Sequence, residues 1–328
     1  MRVLVTGMGG HLGTRVAQLL EARDDVEAVA GFDIVPPRRR LGRSVFKRID
    51  PRDRDRLVEF VRDFAPTAVA HFGVYEPAAR MGIRAARVAS EECTVTALGA
   101  AARAGALECV AVRSGIEVYG RGGRRPEVPD EHAPLGPTTP YGRTCLDVEA
   151  HAAGLARRHD VPVASLRFAP ISGSRAPSPV GRLLRLPAVP VPALADPPFQ
   201  LLHTDDAAWA MVAALDRRAQ GPFNVVGPGA ASPWQAVRLG GRVPVPVAGP
   251  GWLVANQFAE LAGSPVPPHV LELVRRGRVA DGGRAVDELG LVGLVPTQEV
   301  LADLFAWASV TPLPGAGRPA VVATPGSS

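Results

Sequence analysis

Three glycines near the start of the chain constrain its fold more than any other feature. They are Gly7, Gly10 and Gly13, and they follow Arg2–Thr6, an apolar run that is too short for a helix and typical of a strand. Apolar residues then recur at helical spacing, at Leu12, Val16, Leu19 and Leu20. The stretch predicts a strand, a tight glycine turn and a helix. The free N–H groups and the dipole at such a helix N-terminus favour an anion such as a pyrophosphate.

An acidic residue at the end of the next apolar run indicates a dinucleotide site. Asp33 lies about twenty residues after Gly13, the distance at which a carboxylate meets the ribose hydroxyls of NAD. The run Arg38–Arg40 follows closely and has two interpretations. It suits a 2′-phosphate, which keeps NADP open, and it is equally typical of a solvated loop. The sequence therefore predicts NAD as the cofactor, with NADP as the alternative.

Length and composition describe a globular protein with an ample core. The chain has 328 residues, of which 46% are hydrophobic and 21% charged, enough for one large α/β domain or two modest ones. Its cysteines, Cys93, Cys109 and Cys145, form no CxxC pair and no even disulfide framework, which favours a reducing compartment. No apolar stretch approaches the roughly 18 residues of a membrane span. We therefore expect a cytoplasmic protein without a membrane partner.

The basic charge does not indicate a nucleic-acid partner. The net charge is +5 and the isoelectric point is near 9.7, but Lys47 is the single lysine and the arginines are spread along the chain. The sequence contains no aromatic-and-basic RNA motif and no zinc-ligand spacing. It therefore predicts a small-molecule substrate, no bound metal and no nucleic acid.

Strands and helices alternate through the first half of the chain. Beyond the first two strands, the pattern predicts strands over 44–49, 68–74, 109–112 and 161–168, and helices over 54–64, 83–104 and 142–158. Repeated β–α units of this length imply an α/β fold, with a Rossmann-like, doubly wound parallel sheet and helices on both faces.

The second half of the chain has a different pattern. We expect a dinucleotide-binding domain over 1–168, to which 200–228 returns, because Phe223–Val226 is typical of a further strand. The proline-rich 169–199 and the mainly helical 229–310 are expected to form a smaller substrate lobe. The segment 311–328 is rich in Pro, Gly and Ala and is expected to be a disordered tail.

The chain resembles the extended short-chain dehydrogenase/reductase superfamily, in its NAD-dependent epimerase/dehydratase branch, over roughly residues 1–310. The motifs that carry the resemblance are Thr6–Gly13, Asp33, Asp50, His71–Gly73, Glu117–Gly120, Tyr141, Arg167 with Pro170, His203–Asp206 and Phe223–Val225. The resemblance implies a homodimer through the helices at 83–104 and 142–158.

The resemblance also implies a set of cofactor-binding residues. Asp50 is expected to face the adenine, Phe72 and Gly73 to line the groove, and Pro170 and Ile171 to lie near the nicotinamide. The full set is Gly7, Gly10, His11, Leu12, Gly13, Asp33, Asp50, Phe72, Gly73, Tyr141, Pro170 and Ile171.

The catalytic positions depart from the pattern of the superfamily. Its members carry a tyrosine followed four residues later by a lysine, whose charge lowers the pKa of the phenol. Here Tyr141 is followed by Cys145, and a thiol supplies no such charge. The position of the family's serine, which polarises a substrate carbonyl, is Gly115. Ser114 is the nearest hydroxyl, although neighbouring side chains on a strand point to opposite faces.

Glu117 is the remaining acid–base candidate. It lies two residues before Tyr119, where the dehydratases and decarboxylases of this superfamily place a catalytic glutamate. A carboxylate in an apolar cleft has a raised pKa and serves as an acid or a base. The alternative is an exposed loop residue. The catalytic candidates are thus Tyr141, Glu117 and Ser114.

Other polar residues near these motifs are interpreted as structural. We expect Arg143 to be solvated, Arg167 to be a structural or phosphate-facing cation, His203 to position the lobe, and Cys145 to pack within its helix.

Three functions are compatible with these residues. The first is an NAD(P)-binding epimerase/dehydratase-type oxidoreductase with non-standard catalysis, acting on a small sugar-like or secondary-metabolite substrate. The second is a non-redox lyase, isomerase or cyclase that uses Tyr141 and Glu117. The third is a catalytically silent dinucleotide-binding sensor or partner subunit.

Overall fold

A seven-stranded parallel sheet forms the centre of the protein in the computed structural model, which describes residues 1–77, 81–122, 126–173, 176–252, 257 and 266–306. Its strands are β1 (Arg2–Thr6), β2 (Ala28–Asp33), β3 (Val45–Arg48), β4 (Ala68–His71), β5 (Cys109–Gly115), β6 (Val163–Phe168) and β10 (Gly221–Val225). Their order across the sheet is β10-β6-β5-β4-β1-β2-β3. The strand order reverses between β1 and β4, which is where ligands bind in sheets of this kind.

Helices cover the sheet as two packed groups. They are α1 (His11–Glu21), α2 (Arg54–Phe64), α3 (Ile83–Arg103), α4 (Pro140–His159) and α6 (Thr204–Asp216). Helix α1 packs against α6, and α3 packs between α2 and α4. The doubly wound parallel α/β fold predicted from the sequence is confirmed. The dimer contact through α3 and α4 stays a prediction.

Local sequence signals determine where α4 begins, and so where its first turn lies. Thr139 is the N-cap, and its hydroxyl accepts the N–H of Gly142 over 3.2 Å. Pro140 follows at the first helical position, where its fixed φ suits a helix and its missing N–H costs nothing. Tyr141 is thereby placed in the first turn, at the carboxyl edge of the sheet.

A second, smaller hydrophobic core lies beside the sheet. It is built by α5 (Pro179–Leu184), β8 (Ala188–Pro192), α7 (Pro233–Leu239), β11 (Val243–Val247), α8 (Pro268–Arg276) and α10 (Thr297–Phe305). The short strands β7 (Ile171–Ser172) and β9 (Leu202–His203) pair with each other. The strands β8 and β11 pair in parallel, a small sheet within a region that the sequence predicted to be mainly helical or irregular.

The boundary expected for the lobe differs from the packing at one place. Helix α9 (Gly283–Leu289) contacts β10, and its apolar residues Ala285 and Leu289 belong to the main core together with Ala280 and Leu291. Part of 229–310 therefore packs on the sheet rather than in the lobe. The predicted tail at 311–328 lies outside the described residues. Within the described residues, no helix combines the length and the apolar composition needed to cross a membrane.

A buried histidine links β1, β4 and α3 beneath the cleft. Thr94 donates its hydroxyl proton to the carbonyl of Ser90, so its oxygen accepts the Nε2 proton of His71 over 2.9 Å. The His71 Nδ1 atom lies 2.9 Å from the Thr6 hydroxyl, which in turn accepts the N–H of Phe72. This network suits the neutral imidazole, and burial lowers the pKa of His71 to about 3.

The neutral His71 predicts acid sensitivity. Below about pH 6.5 the unfolded chain binds a proton that the folded protein does not bind, so stability falls as the pH drops towards the folded-state pKa. Between roughly pH 7.5 and pH 5 this costs about 2 kcal/mol of unfolding free energy. Urea unfolding at both pH values should therefore show a smaller pH dependence in His71→Asn than in the wild type. Equal pH dependence in both proteins would contradict the assignment.

Candidate active site

A cleft of about 360 Å³ opens at the point where the strand order reverses. Its walls come from the loops after β1, β2, β4, β5 and β6 and from α8, with the lobe residues Ala176–Val180 opposite the sheet. The predicted site residues among its lining are Gly7, Gly10, His11, Leu12, Asp33, Phe72, Ser114, Glu117, Tyr141, Pro170 and Ile171. One cleft therefore collects most of the cofactor and catalytic candidates.

The glycine turn has the shape that the sequence predicts. Gly7 has a φ of 66°, which a residue with a side chain rarely adopts. A Cβ at Gly13 would overlap the carbonyl of Gly7, so the helix packs directly on the turn. Helix α1 has no side-chain cap, and its first-turn N–H groups lie at the cleft. These features fit the pyrophosphate of a dinucleotide.

Asp33 joins the glycine turn to the second strand. Its carboxylate accepts the N–H of Ile34 over 2.6 Å and is also bonded by backbone N–H groups of Val35, Gly10 and Gly9. Burial raises the pKa of Asp33, and these hydrogen bonds oppose the rise. The residue holds the turn in place and still lines the cleft, where the oxygens of a ribose would approach.

Cations surround the same end of the cleft. Burial lowers the pKa of His11, and the charges of Arg39 and Arg38 lower it further. A second pocket of about 270 Å³ is lined by these three residues, with Arg15. Asp205 lines the same pocket and pairs with Arg15 over 2.6 Å, which leaves Arg38 and Arg39 as the cations there that suit a phosphate, so NADP stays open as the alternative cofactor.

Three predicted cofactor residues do not line the cleft. Gly13 packs on the turn, as described above. Gly73 lies against Cys93, whose Sγ atom occupies the space that a Cβ would need. Asp50 forms an ion pair with Arg52 over 2.6 Å at the end of β3. These three residues are therefore not part of the cleft lining, and their contact with a cofactor stays a prediction.

Tyr141 lies in the cleft with a cation on its hydroxyl. Arg113 on β5 donates from Nη2 to the Tyr141 oxygen over 3.2 Å. The Tyr141 ring packs on the ring of His269 from α8, with 4.7 Å between the centroids. Burial raises the pKa of Tyr141 well above its usual value, and the Arg113 charge acts against that rise.

Sequence reasoning missed three neighbours of Tyr141. Arg113 interrupts an otherwise apolar strand, and this was the available signal. The carboxylate of Glu76 lies 3.8 Å from the Arg113 guanidinium and 2.7 Å from Nε2 of His269. Glu76 and His269 are far apart in sequence and have no shared motif, so only the fold brings them together.

Glu117 occupies space that Gly115 leaves free. It lies in a short 3₁₀ helix, Ile116–Tyr119, and is 5% exposed. A Cβ at Gly115 would overlap the Glu117 carboxylate, which therefore fills the region next to the predicted serine position. The alternative of an exposed loop residue is wrong, and Glu117 lines the cleft.

Ser114 is committed to another partner. Its hydroxyl donates to Oε1 of Glu149 over 2.6 Å, in a buried contact beneath the cleft. A serine has one hydroxyl proton, and here it is used. Strand alternation turns Arg113 towards the hydroxyl of Tyr141 at the start of α4 and Ser114 towards Glu149 further along the same helix, so the proton expected to polarise a substrate is held by Glu149 in this structure.

The residues interpreted as structural have structural contacts. Arg167 pairs with Glu149 over 2.8 Å and donates to the hydroxyl of Tyr119. His203 caps α6 by accepting the N–H of Asp205. Arg143 is exposed. Cys145 is buried, and burial raises the pKa of its thiol, which disfavours a nucleophile. Among the described residues, no three His, Cys, Asp or Glu side chains are grouped to hold a metal ion.

Comparison with known sequences gives a family match over most of the chain. The sequence model of the NAD dependent epimerase/dehydratase family matches residues 3–227. An uncharacterized protein of Mycobacterium tuberculosis is 31% identical over 331 aligned residues, covering 95% of this chain and 85% of that relative.

Comparison with solved structures gives the same architecture. UDP-glucose 4-epimerase from Brucella ovis, in complex with NAD, superposes with a TM-score of 0.71 at 22% identity, covering 92% of this chain and 95% of that one. UDP-glucuronic acid 4-epimerase from Bacillus cereus, in complex with UDP-glucuronic acid and NAD, superposes with a TM-score of 0.72 at 20% identity, covering 93% and 98%. At these identities the likeness establishes the fold.

Proposed function

This chain belongs to the NAD-dependent epimerase/dehydratase family, and from that premise we propose that it is an NAD-binding enzyme acting on a small sugar-like or secondary-metabolite substrate. The resemblance predicted from the motifs is thereby confirmed. The glycine turn, the uncapped start of α1 and Asp33 are the residues that would hold the dinucleotide. A bound nicotinamide supplies the site with a hydride donor or acceptor.

The observation that carries the proposal is the Tyr141 hydroxyl, which lies in the same cleft as the glycine turn and contacts a cation. With a dinucleotide held in the cleft to supply the hydride, Tyr141 would donate its proton to the oxygen of a substrate carbonyl as that carbonyl is reduced. Tyr141 would be left as a phenolate, which water would reprotonate. The raised pKa of Tyr141 keeps the phenol protonated at neutral pH, but it also makes the phenol a weaker acid, so proton donation needs a group that stabilises the phenolate.

A carboxylate that fills the space next to the missing serine supports a second candidate function. Glu117 is buried beside the position that Gly115 leaves open, so the cleft holds two proton-transfer groups and lacks the expected hydroxyl donor. A proton removed by Glu117 and returned by Tyr141 to another carbon would perform an isomerisation, and a Tyr141 proton given to a departing hydroxyl, which leaves as water, would complete an elimination; neither changes the net oxidation state. The second candidate is therefore a non-redox lyase, isomerase or cyclase.

The lining of the cleft favours a small substrate over a nucleotide sugar. Among the described lining residues the cations are Arg38 and Arg113, and Arg113 is already bound to Tyr141. The wall opposite the sheet is mainly apolar and includes Pro177, Val180, Val270 and Leu273. A diphosphate beside Tyr141 would meet apolar surface there, whereas a compact polyol or ketone would fit.

Equilibrium titration with NAD and NADP, followed by a substrate panel, tests these functions. We expect NAD to bind, and reduced-nicotinamide absorbance to change with small polyols or hydroxyketones. Turnover of UDP-glucose or UDP-glucuronic acid instead would contradict the proposed substrate class. Binding without any absorbance change, with a product detected by mass spectrometry, would favour the non-redox candidate. Absence of NAD and NADP binding would overturn the proposal, and binding without any product would leave the silent sensor.

A further inference from the structure

We propose that Arg113 is a catalytic residue of this site, whose guanidinium stabilises the phenolate left when the Tyr141 hydroxyl gives up its proton. The inference rests on the proposed function, in which Tyr141 is the proton donor. Arg113 Nη2 lies 3.2 Å from the Tyr141 oxygen, and both residues line the cleft. The cation therefore contacts the atom on which negative charge develops.

Burial makes such a cation necessary. Tyr141 is 5% exposed, so a phenolate formed there is poorly solvated. An arginine keeps its charge at any pH that a folded protein tolerates, and a positive charge in contact favours the ionised phenol. Hydrogen bonding to a guanidinium therefore offsets part of the cost of proton donation.

Here the cation beside the tyrosine comes from a strand of the sheet and not from the helix that carries the tyrosine. In related sequences the cation is a lysine one helical turn after the tyrosine, and here that residue is Cys145, which is fully buried. Arg113 comes instead from β5, two residues before Gly115 and on the same face of the strand. The missing side chain at Gly115 leaves room for the Glu117 carboxylate.

The other arginines near this site have different partners or positions. Arg167 is bonded to Glu149 and to the hydroxyl of Tyr119. Arg143 is exposed on the opposite side of α4. Among the described residues, Arg113 is the cation that donates to the Tyr141 hydroxyl.

The charged groups on the elements around Tyr141 determine whether each substitution raises or lowers the pKa of Tyr141. Glu76, on the segment after β4, lies 3.8 Å from Arg113 and is held by His269 from α8. Glu117 from the 3₁₀ helix and Cys145 from α4 also face Tyr141. Arg113 lowers the pKa of Tyr141, and the carboxylates of Glu76 and Glu117 raise it.

Fluorine NMR of protein labelled with fluorotyrosine tests the inference on the free enzyme. The chain has three tyrosines, so three resonances are expected, and the Tyr141 resonance is the one lost in Tyr141→Phe. A polyfluorinated tyrosine is used, because its phenol is far more acidic than that of tyrosine and this offsets the raised pKa of Tyr141. In Arg113→Met the Tyr141 midpoint should rise by about 1–3 pH units. In Arg113→Lys, which keeps a charge, it should rise less.

Internal controls separate an electrostatic effect from misfolding. Tyr119 is bonded to Arg167 and Asn224, away from Arg113, so its resonance should be unchanged in a folded variant. An unchanged Tyr141 midpoint in folded Arg113→Met overturns the inference. If Arg113→Met does not fold, Arg113→Gln decides, because it keeps polar side-chain atoms and removes the charge, and it should also raise the Tyr141 midpoint. An unchanged midpoint in folded Arg113→Gln then overturns the inference.

Turnover assays distinguish failure of the inference from failure of the proposed function. Adding Cys145→Lys to Arg113→Met returns a cation one helical turn after Tyr141 and should recover part of the lost kcat. Recovery without a change in KM supports a charge role. If Arg113→Met has an unshifted Tyr141 midpoint and full turnover, the proposed role of Arg113 is overturned and the proposed function is not. A shifted midpoint in a protein that binds no dinucleotide leaves the electrostatic pair intact and overturns the proposed function.

Discussion

Turnover by Tyr141→Phe is expected to fall by about 100- to 10,000-fold, the range that a positioned proton donor contributes. The substitution removes one oxygen from a buried ring that stays packed on His269. It leaves the glycine turn and Asp33 untouched, so NAD should still bind, weakened at most by the loss of the contact expected of Tyr141. Steady-state kinetics on the substrate found in the panel, together with NAD titration, measure the two effects separately.

A matched substitution elsewhere provides the control. Tyr119→Phe also removes a buried phenol oxygen, but that oxygen accepts from Arg167 and donates to Asn224 outside the cleft lining. It should lower the thermal midpoint and leave kcat close to the wild-type value. Wild-type turnover in Tyr141→Phe would exclude Tyr141 as the proton donor.

Arg167→Met is expected to destabilise the fold by about 3–5 kcal/mol. Arg167 and Glu149 are 3% and 10% exposed at their side chains, and their charged atoms lie 2.8 Å apart. Removal of the guanidinium leaves the carboxylate buried with the Ser114 hydroxyl as its remaining described side-chain partner. Urea unfolding of the variant and the wild type measures the loss.

Two further variants test whether the cost arises from the uncompensated carboxylate. Arg167→Met/Glu149→Gln should recover a large part of the loss, because no buried charge remains. Arg62→Met breaks an ion pair with Asp63 in which both side chains are more than half exposed, and it should cost less than about 1 kcal/mol. A loss of similar size in Arg167→Met and Arg62→Met would show that burial does not determine the cost.

Local sequence pattern predicted the elements of the sheet well. The helix expected over 54–64 is α2, Arg54–Phe64, and the strand expected over 109–112 is the first part of β5. These segments are continuous in sequence and periodic, so burial of one face determines their structure. The pair of β8 and β11 was not predicted, because both strands carry alternating prolines. Proline lacks an N–H and is tolerated on edge strands such as these.

The site residues that lie at the ends of strands could be predicted, because the sequence indicates where those strands end. The carboxyl ends of parallel strands meet at one edge, which brings the glycine turn, Asp33 and Glu117 towards one cleft. The charge balance around Tyr141 could not be predicted in this way. It depends on Glu76 and His269, which come together because α8 packs against α4.

The missing side chain at Gly115 limits how this site could be altered. The Glu117 carboxylate occupies the space that a Cβ there would enter. A serine introduced at 115 would have to push that carboxylate aside. Cys145 would still stand where related sequences carry the lysine, so restoring an ordinary dehydrogenase site takes changes at 115 and 145 together with a rearranged Glu117, not one reversion.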